Sequence, residues 1–203
     1  MTTSRSFNSS FNTSWWRFLI PLGLQLGIIL IIPAQSAYTY NFGQSAVLQT
    51  LPVDPYDLLR GYSQTLSYDI SQTEILKQFP GGKDLVDQLV TGDTFYVILE
   101  PNITKDKLPP VASKVIKITE EIPSDLGNNQ VALQGTIEQS GQIKYGLETY
   151  YLPESQRDKI NQEINDLQSN TEGTRLFVVE IKVDRWGNSV PISLWIDQHK
   201  YSF

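Results

Sequence analysis

The chain of 203 residues carries 22 acidic and 16 basic residues, and it contains no cysteine. Without cysteine, disulfide bonds, thiolate catalysis and cysteine metal ligands are excluded. All 22 acidic residues but only 14 basic ones follow residue 37. Because nucleic-acid binding and docking on anionic lipid both need clustered positive charge, the acidic composition of this part argues against both.

A charge-free hydrophobic run occupies residues 18–34, and aromatic residues flank it on both sides. Trp15 and Trp16 precede the run, and Tyr38 and Tyr40 follow it; such rings favour the lipid headgroup layer. From Trp15 to Tyr38 the chain would extend about 36 Å as a helix, more than the bilayer core of about 30 Å. The pattern predicts one helix that crosses a membrane.

The distribution of basic residues predicts the orientation of this helix. Arg5 and Arg17 precede the hydrophobic run. After the run, the first basic residue is Arg60. Because basic residues stay on the cytoplasmic side, we expect residues 1–14 to be a cytoplasmic stub and residues 15–37 to be the anchor. The remaining chain would then lie on the periplasmic or lumenal side of the membrane.

A cleaved signal peptide is the alternative interpretation of the same segment. Ala34-Gln35-Ser36 offers small residues at the −3 and −1 positions of a cleavage site, which would leave Ala37 as the first residue. The apolar run is longer than the roughly 7 to 15 residues of a signal-peptide core, which favours the uncleaved anchor.

After a predicted juxtamembrane linker at residues 38–45, strand patterns predict one domain over residues 46–203. With two or three short helices, they indicate an α+β domain whose mainly antiparallel sheet is open or partly closed into a barrel. Residues 184–188 are typical of a hairpin turn. The predicted strands lie at residues 46–51, 65–70, 95–99, 114–119, 130–138, 142–147, 176–183 and 190–196.

Three helical segments are predicted between these strands. Residues 71–74 have the spacing of a capping box ahead of a short helix, and residues 85–90 indicate a second short helix. Residues 155–167 place their apolar side chains on one face, as in an amphipathic helix on the surface of a sheet.

Asp54, Asp57 and Arg60 form the first candidate binding cluster, just before a predicted strand. Their carboxylates could hold a cation or exchange protons. The alternative is a structural turn in which Arg60 pairs with one of the two acids.

The second candidate cluster consists of Tyr145, Glu148, Tyr150 and Tyr151, and Tyr68 of the preceding strand is a further candidate binding residue. On a strand, Glu148 and Tyr150 share one face, where they could line a binding groove. The alternative is that these aromatic residues belong to the core, as they more often do in strands.

No catalytic residue, cofactor or metal site follows from the sequence. A zinc site or a Ser-His-Asp triad would depend on His199, the one histidine of the chain. The remaining enzymatic alternative is a membrane-anchored hydrolase in which Lys114 or Lys117 activates Ser63 or Ser67.

The segment PVDPYDLLRGYSQTLSY, which ends at Tyr68, resembles the motif of the GDYXXLXY protein family. Gly61, Leu66 and Tyr68 match the motif, whereas Tyr62 and Ser63 stand where it has Asp and Tyr. The loss of the motif's Asp argues against a catalytic role for that position in this chain.

Two further segments resemble blocks of the same family, residues 92–97 (GDTFYV) and 145–154 (YGLETYYLPE). The similarity covers roughly residues 15–200. It implies a single N-terminal anchor, an extracytoplasmic domain and a multi-pass membrane protein as partner, but no established activity.

These observations favour a membrane-anchored accessory or assembly protein that binds a partner membrane protein. The alternative is a ligand-binding or sensory module of the cell envelope that uses the two candidate clusters.

Overall fold

The computed structural model describes residues 15–50, 64–102, 108–139, 141–150 and 177–202. The chain divides into two units, residues 1–37 and residues 38–203. The elements, in chain order, are α1 (Trp16–Phe42), β1 (Gln44–Gln49), β2 (Gln64–Thr65), a 3₁₀ turn (Asp69–Ser71), α2 (Thr73–Leu76), α3 (Gly82–Val86), β3 (Thr94–Glu100), β4 (Lys114–Thr119), β5 (Val131–Ile137), β6 (Ile143–Lys144), β7 (Thr149–Tyr150), β8 (Phe177–Val183), β9 (Ser189–Ile196) and β10 (His199–Ser202).

The first unit contains most of α1, a helix of 27 residues that is long and apolar enough to cross a membrane. Its large apolar side chains are exposed from Phe18 to Ile32, as lipid-facing side chains would be. Pro21 and Pro33 lie inside the helix, which continues to Phe42. The predicted apolar helix is therefore present, and it is longer than the predicted anchor.

The second unit begins with the end of α1. Residues 38–42 are helical and β1 starts at Gln44, so the segment predicted as a linker belongs to regular elements. Gly43 joins them; a Cβ at this position would lie 2.5 Å from the carbonyl oxygen of Thr39. A side chain at position 43 would therefore collide with the last turn of the helix, which favours glycine there.

The described strands form two open four-stranded sheets and one two-stranded ladder. All pairings are antiparallel, in the orders β1-β8-β9-β10, β4-β3-β5-β6 and β2-β7. The predicted α+β domain with a mainly antiparallel sheet is confirmed, and the sheets do not close into a barrel.

The core is built by alternate residues of neighbouring strands, because successive side chains of a strand point to opposite faces. In the first sheet Val179 of β8 pairs with Leu48 of β1 and Leu194 of β9. In the second sheet Val97 of β3 pairs with residues 118 and 133, both of which are buried. These rows of buried apolar residues account for the alternation by which the strands were predicted.

Two local predictions at residues 65–74 are wrong. The strand predicted at residues 65–70 is limited to β2 and an isolated bridge at Tyr68, because the 3₁₀ turn follows at once. The capping box is also absent: Ser71 ends the 3₁₀ turn, and α2 begins at Thr73 without a side-chain cap. The amphipathic helix predicted at residues 155–167 lies outside the described residues.

One buried carboxylate, Asp184, organises the turn between β8 and β9. Its Oδ1 accepts hydrogen bonds from the main-chain N–H groups of Trp186 (2.9 Å) and Asn188 (3.0 Å). Its Oδ2 accepts from the hydroxyl of Thr39 (2.9 Å) and the side-chain amide of Asn188 (3.0 Å). Because a buried charge is costly without such partners, this carboxylate requires the last turn of α1 and the hairpin turn to form together.

We expect the substitution Asp184→Ala to lower the free energy of unfolding by about 3 kcal/mol, since it leaves one buried and several part-buried donors without an acceptor. Thr39→Val removes one of these hydrogen bonds and should cost about 1 kcal/mol. Chemical denaturation of the full chain in detergent measures both losses. The control is Asp125→Ala, which removes an exposed carboxylate; a loss for Asp184→Ala no larger than for this control would contradict the prediction.

Candidate functional site

The three sequence blocks that carry the family resemblance meet in the core of the second unit. The first block supplies Leu66 and Tyr68, the second Phe95, and the third Tyr145 and Leu147. All five side chains are buried. We refer to these five residues as the block core.

Two tyrosine hydroxyls connect the first and third blocks within the block core. The hydroxyl of Tyr68 donates a hydrogen bond to the carbonyl oxygen of Leu147 at 2.6 Å. The hydroxyl of Tyr145 donates in the opposite direction, to the carbonyl oxygen of Ile70 at 2.6 Å. Buried main-chain carbonyls need such donors, so each tyrosine satisfies a polar group of the other segment.

Phe95 of the second block joins this arrangement through its ring. The ring meets that of Tyr145 edge-on, with 6.5 Å between the ring centroids, a favourable geometry for an aromatic pair. Gly135 of β5 lies beneath both rings, and a Cβ there would be 2.8 Å from Phe95 and 2.9 Å from Tyr145. The pair therefore requires glycine at this position of the strand.

Glu148 stabilises the turn that follows Tyr145. Its carboxylate Oε1 accepts a hydrogen bond from the main-chain N–H of Tyr145 at 2.6 Å, and its carbonyl oxygen accepts one from the N–H of Leu66 at 2.8 Å. Burial, and secondly the negative charge of Glu148, raise the pKa of Tyr145 well above its ordinary value. Tyr145 therefore remains a neutral hydrogen-bond donor over the ordinary pH range.

The structure thus brings together Tyr145 and Glu148 of the second predicted cluster with the separate candidate Tyr68, whereas Tyr151 lies outside the described residues. Tyr150 lies nearby in β7, where its main chain pairs with Gln64, and its side chain is outside the described part. Asp54, Asp57 and Arg60 of the first cluster also lie outside the described residues. A binding role for either cluster remains a prediction.

The residues considered for catalysis do not form a constellation in the part of the chain that the structure describes. Ser67 is exposed after β2, and no hydrogen bond between it and Lys114 or Lys117 occurs among these residues. His199 is exposed on β10. Within the same ranges, no group of three or more His, Asp or Glu side chains could hold a metal ion.

A cavity of about 490 Å³ lies between β1, α2 and the start of β4. This volume is in the range of small-molecule sites. Its walls are mainly apolar, with Ile75 and Phe79 on one side and Leu99 and Val115 on the other. An apolar body of a ligand would fit such walls.

Polar groups lie at the same cavity. The hydroxyl oxygen of Ser113 accepts a hydrogen bond from the N–H of Val47 at 2.9 Å, which leaves the hydroxyl hydrogen available as a donor. Lys114 is exposed and Asp69 is half-buried at the lining. Sequence analysis missed this cavity, because its lining comes from segments that no local pattern connects.

The family model described as "GDYXXLXY protein" matches residues 25–194, most of the chain. No curated protein and no solved structure matches significantly.

We expect Tyr68→Phe and Tyr145→Phe each to lower the free energy of unfolding by about 1 to 3 kcal/mol, because each leaves a buried carbonyl without its donor. Chemical denaturation at neutral pH measures the loss. Tyr96→Phe is the matched control, since the hydroxyl of Tyr96 forms no hydrogen bond with the described residues. Equal stability of all three variants and the parent chain would contradict the structural role of the two hydroxyls.

The same variants have a second readout in their pH dependence. Because the pKa of Tyr145 is raised on folding, the unfolded chain loses this proton first, near pH 10. The stabilisation that the protonated hydroxyl of Tyr145 gives the folded chain is therefore complete below about pH 10, and it declines as the pH rises further. The decline should be smaller in Tyr145→Phe than in Tyr96→Phe.

Proposed function

The chain belongs to the GDYXXLXY protein family, and from this premise we propose that it is a single-pass membrane protein whose outer domain binds a partner membrane protein as an accessory or assembly subunit. The observation that carries the proposal is α1, an apolar helix that bears exposed apolar side chains along its length. Such a helix needs either lipid or another protein around it.

The orientation that we propose follows from charge. Arg17 is the one charged residue of α1 and lies at its N-terminal end. With Arg5 also on that side, the N-terminus is assigned to the cytoplasm and the domain to the periplasmic or lumenal side. In this orientation the domain can bind molecules on the periplasmic or lumenal side and proteins of the same membrane, but no cytoplasmic molecule.

A partner in the same membrane is favoured by the effect of the anchor on binding. Confinement to one bilayer raises the effective concentration of two proteins for each other, so even a weak contact between their outer parts becomes occupied. The resemblance, which implies a multi-pass membrane protein as companion, points to the same kind of partner. The core positions of Leu66 and Tyr68 support a scaffold role for the motif.

Chemical crosslinking of the tagged full chain in cells, followed by affinity purification, tests this proposal. We expect a multi-pass membrane protein to be recovered reproducibly. It should also be recovered when residues 1–37 are replaced by an unrelated single-pass segment, because the domain carries the contact.

The matched control keeps residues 1–37 and carries an unrelated outer domain; the partner should then be lost. Failure to recover any membrane protein reproducibly, or equal recovery with this control, would overturn the proposal.

The cavity favours a second function, in which the domain binds a small envelope molecule. Its apolar walls and the exposed amine of Lys114 fit an amphiphile with an anionic end group. In a thermal-shift assay, saturating fatty acids should raise Tm by about 5 °C, whereas the matched alcohols should have less effect.

Ala112→Phe, which fills the cavity, should abolish this shift. Val90→Phe, at an exposed position outside the cavity, is the matched control and should retain it. If no fatty acid raises Tm, this second function is wrong.

A further inference from the structure

Three aromatic rings cluster at the point where α1 meets the β8–β9 turn. The ring centroid of Tyr38 lies 5.1 Å from that of Phe42 and 5.3 Å from that of Trp186. The three side chains are nevertheless 37 %, 73 % and 48 % exposed. We call Tyr38, Phe42 and Trp186 the junction cluster.

Two basic residues accompany the junction cluster. The guanidinium group of Arg185 lies over the ring of Trp186, 4.2 Å from its centroid. The ammonium group of Lys182 donates a hydrogen bond to the carbonyl oxygen of Tyr40 at 2.6 Å and lies 5.3 Å from the centroid of that ring. Neither base forms an ion pair with a carboxylate of the described residues.

The local charge is therefore positive, although the domain as a whole is acidic. Asp184 lies between these residues in sequence, but its carboxylate is buried and used in hydrogen bonds within the turn. The exposed side chains of the turn are a cation and an aromatic ring, Arg185 and Trp186. Aromatic rings with basic neighbours suit the headgroup layer of a bilayer, where rings lie at the boundary and cations contact phosphates.

The helix sets the depth of the junction cluster relative to the hydrophobic run. Tyr38 follows Ala34, the last residue of the run, by four positions, or about 6 Å along a helix. Phe42 follows one further turn later, about 12 Å beyond Ala34. Since the headgroup layer is about 5 to 8 Å thick on each side of the hydrocarbon core, Tyr38 lies within it and Phe42 lies just beyond its outer edge in a membrane that α1 crosses.

We propose that the junction cluster is a lipid-binding surface: Trp186 inserts its ring among the headgroups of the bilayer, and Arg185 and Lys182 bind lipid phosphates. The β8–β9 turn is then a second membrane contact of the chain, separate from the helix in sequence. This inference rests on the proposed function, because it requires α1 to cross the membrane.

Quenching of tryptophan fluorescence by brominated phosphatidylcholine tests the proposal in the full chain. In the variant Trp15→Phe, Trp16→Phe, Trp195→Phe, the remaining fluorophore is Trp186. The matched control replaces Trp186 with Phe instead and keeps Trp195. This residue lies in β9, six positions or about 20 Å along the strand from Ser189, where the strand leaves the turn. We expect several-fold stronger quenching of Trp186 than of Trp195 in phosphatidylcholine vesicles.

Removal of the cations should weaken this contact. Adding Lys182→Gln and Arg185→Gln to the Trp186 variant should reduce its quenching at least about twofold, with an unchanged circular dichroism spectrum as the control for folding. Unchanged quenching would overturn the role assigned to the two bases.

Flotation of the same vesicles distinguishes failure of the proposed membrane anchor from failure of the proposed lipid-binding turn. If the chain does not float with the lipid, the membrane anchor is wrong and the lipid-binding turn with it. If the chain floats but Trp186 is quenched no more than Trp195, the anchor stands and the lipid-binding turn is wrong.

Discussion

The end of α1 and the β8–β9 turn are held together by the buried carboxylate of Asp184, and the start of the second unit depends on this interaction. Five hydrogen bonds from Thr39, Trp186 and Asn188 surround it, and they come from segments separated by as many as 145 residues. A buried charge with fewer donors would be strongly destabilising. Helix end, hairpin turn and the central strands β8 and β9 must therefore adopt their places together, which makes this junction a cooperative feature of the fold.

The block core gives the family motif a physical meaning. Leu66 and Tyr68 are two positions apart, so they point to the same side of the chain, and both are buried. Tyr68 and Tyr145 exchange hydrogen bonds with the main chain of each other's segments. Tyrosine at these positions combines a large apolar surface with one donor, a combination that neither phenylalanine nor a polar residue supplies. The two described residues of the motif that match the family, Leu66 and Tyr68, are thus packing positions in this chain.

The sequence predicts much of the fold because half-buried strands show a local alternation of apolar and polar residues. Alternation gave β4 its bounds, Lys114–Thr119, and the turn residues after Val183 indicated the hairpin. Local patterns say nothing of contacts between distant segments, so the role of Asp184, the exchange between Tyr68 and Tyr145 and the cavity beside Phe79 were not predicted. The predicted strand at residues 65–70 failed for the same reason: its alternating residues are buried by tertiary packing, without a long ladder.

The hydrogen bonds between Val47 and Ser113 protect the exposed edge of β1 from pairing with other chains. Among the described strands β1 lies at the edge of its sheet, and unpaired edges promote pairing with other chains and aggregation. The N–H of Ser113 donates to the carbonyl oxygen of Val47 at 2.8 Å, while the serine hydroxyl accepts from the N–H of Val47. One serine thereby occupies both main-chain hydrogen-bonding groups of Val47 and blocks this point of the strand for other chains. Under the proposed membrane anchoring, such protection would matter because neighbouring copies at a membrane surface are concentrated in two dimensions.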